Sequence, residues 1–220
     1  MTDFVVMRTN MIEGQIRPNE VTDPQLIAAL SIIPREPFVS KRFQAIAYRD
    51  EEVEMFPDRY LMEPRVFARL IQGLAAKPAE VGLCIGCGTG YGVAILAQLC
   101  GTVIGLESEK ELYVRAGDLL SLYEIDNALV VQGTLKEGYL EQGPYDLIFI
   151  EGAIPQAPTI ILDQLADGGR LAVVIKNGQN SSGEATIFTK IGNSVGRSVL
   201  FDAATEMLPG FEVLPDFTFY

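Results

Sequence analysis

The sequence predicts an α/β protein: a doubly wound, mostly parallel sheet, preceded by a helical N-terminal extension and closed by antiparallel C-terminal strands. Three observations carry this. Between Val81 and Ile175 short apolar runs alternate with helical stretches, the pattern of βαβ units. Before Pro78 the chain reads as helices and loops interrupted by Pro18, Pro24, Pro34, Pro37, Pro57 and Pro64. Beyond about residue 185 it reads as strands with no clear helix.

The elements follow in order. Asp23-Pro24 opens a helix, because Asp caps it and Pro suits its first position; Leu26, Ile27, Leu30 and Ile33 form its apolar stripe. Pro64 opens another, with Val66, Phe67, Leu70, Ile71 and Leu74 on one side. Parallel strands are expected over 81–85, 102–106, 128–132, 145–150 and 170–175, with helices near 91–100, 109–122 and 157–166. Ser108-Glu109-Lys110-Glu111 reads as a capping box for the second of these helices. Ala185–Ile191 and Val195–Ala203 follow as strands, before an apolar tail ending Phe217-Thr218-Phe219-Tyr220. The domain expectation is an extension over 1–78 and a ligand-binding domain over 79–220, forming one compact unit.

Composition narrows the chemistry. The 220 residues include no histidine, which removes Ser-His-Asp triads, Cys-His pairs and His-ligated zinc. The net charge of −12 opposes nonspecific attraction to nucleic acid or anionic lipid, so neither is expected as a partner. Cys84, Cys87 and Cys100 are too few for a disulfide scaffold. Residues 1–10 lack a signal-peptide pattern, and no apolar run suits a membrane span. A cytoplasmic location is expected.

The run Gly86-Cys87-Gly88-Thr89-Gly90-Tyr91 joins the first parallel strand to its helix. Glycines let the backbone turn and a ligand approach, and the helix N-terminus adds free N–H groups. The spacing is G-x-G-x-G; a dinucleotide fingerprint would need glycine where Tyr91 stands, which disfavours a nucleotide-dependent oxidoreductase. Glu107 ends the second strand 21 residues beyond Gly86 (107 − 86), the distance expected of an acid that grips a ribose diol. The competing reading is a plain tight connection. Loop, acid and topology together favour a nucleoside-bearing ligand.

These residues resemble the class I S-adenosylmethionine-dependent methyltransferases. Met11-Ile12-Glu13-Gly14-Gln15-Ile16-Arg17, Pro34-Arg35-Glu36-Pro37-Phe38-Val39 and Ala47-Tyr48-Arg49-Asp50 resemble the protein-L-isoaspartate O-methyltransferases more narrowly. So do Pro144-Tyr145-Asp146-Leu147-Ile148 and the run Asp163 to Leu171. The resemblance spans about residues 10–200. It implies a Rossmann-like methyltransferase fold and transfer of a methyl group from S-adenosylmethionine to a carboxylate of a protein or small molecule. It implies cofactor contacts at Gly86, Cys87, Gly88, Thr89, Gly90, Tyr91, Glu107 and Ser108, and at Thr134 and Leu135 after the third strand. Three positions depart from the family pattern. Met62 stands where the family has an active-site Ser, Cys84 replaces an acid in the first strand, and Gly133-Thr134-Leu135 replaces G-D-G.

S-adenosylmethionine brings an activated methyl group, so transfer depends mainly on orientation, and a carboxylate acceptor is ionised without a base. Glu151, at the end of the fourth strand, is the best-placed catalytic acid; the bland reading is a residue at the strand exit. Met62 is a candidate liner of an acceptor pocket, against plain core. Glu63 is more simply a helix-dipole partner. Cys84-Ile85-Gly86-Cys87 is formally C-x-x-C, but no metal site is expected, and two small buried residues are the simpler account. The alternative to an enzyme is a non-catalytic S-adenosylmethionine-binding or interaction protein derived from the same family.

Overall fold

The protein is represented by a computed structural model, which describes residues 3–177 and 182–211. A seven-stranded sheet forms its centre, in the order β5-β4-β3-β6-β7-β8-β9. The strands are β3 (Val81–Ile85), β4 (Thr102–Glu107), β5 (Ala128–Gln132), β6 (Tyr145–Ile154), β7 (Leu165–Ile175), β8 (Gly183–Ile191) and β9 (Ser194–Ala203). Neighbours from β5 to β7 pair in parallel; β7-β8 and β8-β9 are antiparallel. This is the doubly wound sheet with antiparallel closure that the sequence predicts. The direction of winding reverses between β3 and β6, and ligand crevices open at the carboxyl ends of strands there.

Before the sheet come α1 (Phe4–Met11), α2 (Pro24–Ile32) and α3 (Pro64–Leu74). Asp23 caps α2, accepting hydrogen bonds from the Gln25 and Leu26 amides at 2.8 and 3.4 Å. One element of this region was not foreseen: a hairpin, β1 (Val53–Phe56) with β2 (Arg59–Leu61), bridged by the exposed turn at Pro57-Asp58. Its strands have only 4 and 3 residues and a register shift, so no sustained alternation betrays them. Phe67 joins the extension to the sheet, its ring 5.3 Å from that of Tyr91 and 5.6 Å from that of Phe149.

Between the strands lie α4 (Tyr91–Ala97), α5 (Lys110–Leu122) and α6 (Thr159–Asp163). The last is shorter than its predicted span. Pro158 sets its start, and Leu165 already belongs to β7, which becomes irregular through Asp167-Gly168-Gly169. The capping box at Ser108 does not form. Glu107 takes over its role, accepting hydrogen bonds from the Ser108 and Glu109 amides at 2.8 and 3.0 Å, while Glu109 stands at the cap without a side-chain bond. The tail beyond Phe211 lies outside the described residues. Among the described residues no helix is long and apolar enough to cross a membrane.

Candidate functional site

The glycine loop closes β3. Gly86, Gly88 and Gly90 have φ of +70°, +56° and +94°, a region costly for side-chain-bearing residues, so the loop depends on glycine. It turns against Glu107, whose Oε2 accepts the Gly88 amide at 2.8 Å. Glu107 is fully buried.

Its partner was not anticipated. Arg59, on β2, donates from Nη1 to Oε1 of Glu107 at 2.6 Å and from Nη2 to Oε2 at 2.7 Å. Nη2 also donates to the Gly86 carbonyl at 3.0 Å. Arg59 is 4% exposed, so a bidentate ion pair is sealed over the loop. In the sequence Arg59 stands between Asp58 and Tyr60-Leu61-Met62 with nothing local to single it out, and its role becomes readable only once the hairpin is recognised.

Other side chains of the protein fill the adjoining space. A Cβ placed on Gly88 would lie 2.5 Å from Met55 Sδ, and one on Gly86 would lie 2.7 Å from a Leu208 methyl carbon. Leu208 belongs to a strap running past the carboxyl end of β6. Its amide donates to the Ala153 carbonyl at 2.8 Å, and the Ala153 amide donates to the Glu206 carbonyl at 2.9 Å. Beside Glu107 an open pocket of about 470 Å³ remains, lined by Ser108, Glu109, Gln132, Thr134 and Leu135 among others. The residues named in the sequence thus divide. Glu107, Ser108, Thr134 and Leu135 border or adjoin that pocket. Cys87, Thr89 and Tyr91 are buried beneath the loop: Thr89 Oγ1 donates to the Phe38 carbonyl at 2.5 Å, and Tyr91 packs edge-on against Phe38.

Glu151 lies in an irregular stretch of β6, where the register with β7 shifts between Phe149 and Ala153. It is buried, and a side chain on Gly92 would collide with its Oε2, so the helix glycine makes room for the acid. Burial pushes its carboxyl group up to about 8, against smaller opposing effects from the Cys84 thiol, Arg35 and Arg59. Met62 is buried close by and lines the same small cavity as Glu151, Arg59 and Leu208. Its carbonyl accepts a hydrogen bond from Arg35 Nη2 at 2.6 Å. Glu63 pairs with Arg65 at 2.7 Å and makes no capping bond. All three cysteines are free and buried, and burial raises the thiols of Cys84 and Cys87 well above their ordinary range, the opposite of a reactive pair.

The glycine loop, the acid ending the adjacent strand and the winding reversal on the other side of β3 define the fold and ligand edge of the class I methyltransferases, whose methyl donor is S-adenosylmethionine. Residues 7–201 match the family model described as protein-L-isoaspartate(D-aspartate) O-methyltransferase. A protein-L-isoaspartate O-methyltransferase of Koribacter versatilis is 33% identical over 175 residues, 80% of this chain and 79% of its own. That of Herpetosiphon aurantiacus is 34% identical over 173 residues, 79% of this chain and 77% of its own. The chain belongs to the protein-L-isoaspartate O-methyltransferase family of S-adenosylmethionine-dependent enzymes. Among solved structures, a protein-L-isoaspartate O-methyltransferase superposes with a TM-score of 0.81 at 23% identity, over 93% of this chain and 67% of that one. A Plasmodium falciparum structure of that description, in complex with S-adenosyl-L-homocysteine, gives 0.77 at 20% identity, over 96% of this chain and all of that one. These likenesses establish the shared fold.

The cofactor of the family does not fit the seat as these residues fill it. The acid suited to its ribose is held by Arg59, and the loop suited to its main-chain contacts is covered by Met55 and Leu208.

Proposed function

We propose that the chain is an S-adenosylmethionine-dependent O-methyltransferase acting on a protein carboxylate, with an isoaspartyl side product of protein ageing as the acceptor class. The observation that carries this is the family match across residues 7–201, which takes in the glycine loop, Glu107, Met62 and Glu151. The chemistry suits the composition: a carboxylate acceptor is already ionised at neutral pH, so a chain without histidine lacks nothing the acceptor needs. In this reading Glu151, neutral at pH 7 with its carboxyl raised to about 8, acts as a hydrogen-bond donor near the acceptor rather than as a base. Met62 makes that end of the site more apolar than a Ser would. The non-catalytic alternative is not favoured by the family match.

The test is transfer of radiolabelled methyl groups from S-adenosylmethionine to an isoaspartyl peptide, with the corresponding aspartyl peptide as control. Base-labile methyl ester on the isoaspartyl peptide alone is expected, at a rate reduced by the Ser-to-Met replacement. No ester on either peptide at high enzyme concentration would overturn this reading.

A further inference from the structure

The seat beside the glycine loop is not merely narrow; it is engaged. Glu107 offers two oxygens. Arg59 takes one bond on each, and the amides of Gly88, Ser108 and Glu109 take the rest of the available directions. A ribose diol needs to donate to that same carboxylate. Arg59 Nη2 also sits on the Gly86 carbonyl, and Met55, from the same hairpin, lies over Gly88. One short hairpin therefore supplies both the ion that holds the acid and the side chain that covers the loop.

The hairpin stands apart from the hydrogen-bond network of the central sheet. β1 and β2 pair only with each other and form no part of the seven-stranded sheet. An isolated two-stranded hairpin is marginally stable by itself, so its position depends on side-chain anchors. Besides Arg59 these are the buried side chains of Val53, Met55 and Leu61, an Arg42–Glu54 pair at 2.7 Å and a bond from the Glu206 amide to Glu52, just before β1, at 3.0 Å. Beside Ser108 and Glu109, the residues that follow the acid, a pocket of about 470 Å³ is open.

We propose that Arg59 is an internal latch on the cofactor site: it holds Glu107 in place of the ribose, and S-adenosylmethionine binds fully only when the β1–β2 hairpin lifts Arg59 and Met55 off the loop. This rests on the methyltransferase reading above. Because only the unlatched fraction is competent, the apparent dissociation constant is the intrinsic one divided by that fraction. Arg59 is thus a tethered competitor.

The experiment is calorimetric titration of the full chain with S-adenosylhomocysteine, comparing wild type with Arg59→Gln and Arg59→Lys, each first shown to be folded by circular dichroism. Binding at least about tenfold tighter in Arg59→Gln is expected, with Arg59→Lys between, because Lys keeps the charge and loses the bidentate grip. Hydrogen exchange of the wild type needs no variant. At saturating ligand, amides over 53–61 should exchange faster while those of β3 slow. Wild type binding as tightly as Arg59→Gln, or slower exchange over 53–61 on saturation, overturns the latch and leaves the methyltransferase reading standing. A folded Arg59→Gln that binds no ligand and transfers no methyl group overturns both.

Discussion

The sulfur of Cys84 lies 3.6 Å from Oε2 of Glu151, a thiol and a carboxyl group on adjacent strands of the sealed core. Oε1 of the same carboxyl has no protein partner among the described residues. Burial explains how an acid survives in such a place: it raises the carboxyl to about 8, so that the group favours its uncharged form at neutral pH, while the contact with the thiol acts more weakly in the opposite direction.

A pH dependence follows. Between the ordinary carboxylate range and about pH 8, native Glu151 keeps a proton that the unfolded chain has released. The native state then binds more protons, so stability falls as pH rises, by about 1.4 kcal/mol per unit for one such group. Glu52, raised by burial to about 7, acts in the same direction over a narrower window. Urea unfolding from about pH 5 to pH 8 should show this decline in wild type and a shallower one in Glu151→Gln. Equal slopes would mean that Glu151 is ionised in the folded protein.

The thiols give a second expectation. Cys84, Cys87 and Cys100 are all buried, and burial pushes the Cys100 thiol up to about 12 and the other two well above their usual range. A chromogenic disulfide reagent should find almost no reactive thiol in the native protein and all three in denaturant. Rapid labelling of Cys84 or Cys87 in the native state would contradict the geometry.

The two halves of the Arg59–Glu107 pair should differ when removed. Glu107→Ala strands a guanidinium that is 4% exposed, and should cost about 3–5 kcal/mol of stability. Arg59→Met should cost less, because Glu107 keeps the amides of Gly88, Ser108 and Glu109. Chemical denaturation of the two variants measures the asymmetry, and equal losses would show that those amides do not compensate.

Arg170 fastens α3 to the sheet. From β7 its guanidinium donates to the Leu74 and Ala75 carbonyls at 2.8 Å, at the end of that helix, and pairs with Glu80 at 2.8 Å. Its side chain is 15% exposed, so these charged hydrogen bonds are shielded. Arg170→Ala should lower stability by about 2–3 kcal/mol, seen as a reduced denaturation midpoint with unchanged slope.

What the sequence made legible followed from periodicity and from covalent constraint. The apolar runs of β3 to β6 and the Asp23-Pro24 helix start are local signals, and the structure places them within a few residues of expectation. Glycines 86, 88 and 90 were readable because few other residues tolerate their backbone angles. The hairpin was not, since strands of 4 and 3 residues leave too little pattern. The grip of Arg59 on Glu107 joins positions 48 residues apart, and no local rule connects them. The strap at Leu208 is likewise a tertiary fact: its parallel contact with Ala153 depends on where β9 ends. The acid was therefore visible from sequence, while its occupant was not.

The last strand of the sheet carries one more consequence. β9 has no neighbour on its outer side among the described residues, and Val195, Val199 and Leu200 stand exposed along it. An open strand edge with apolar side chains is adhesive between copies of a chain. Near neutrality the charge of −12 keeps molecules apart, but around the isoelectric point of about 4.5 that repulsion vanishes. The same acidity thus serves as colloidal protection for an edge that the described residues leave open.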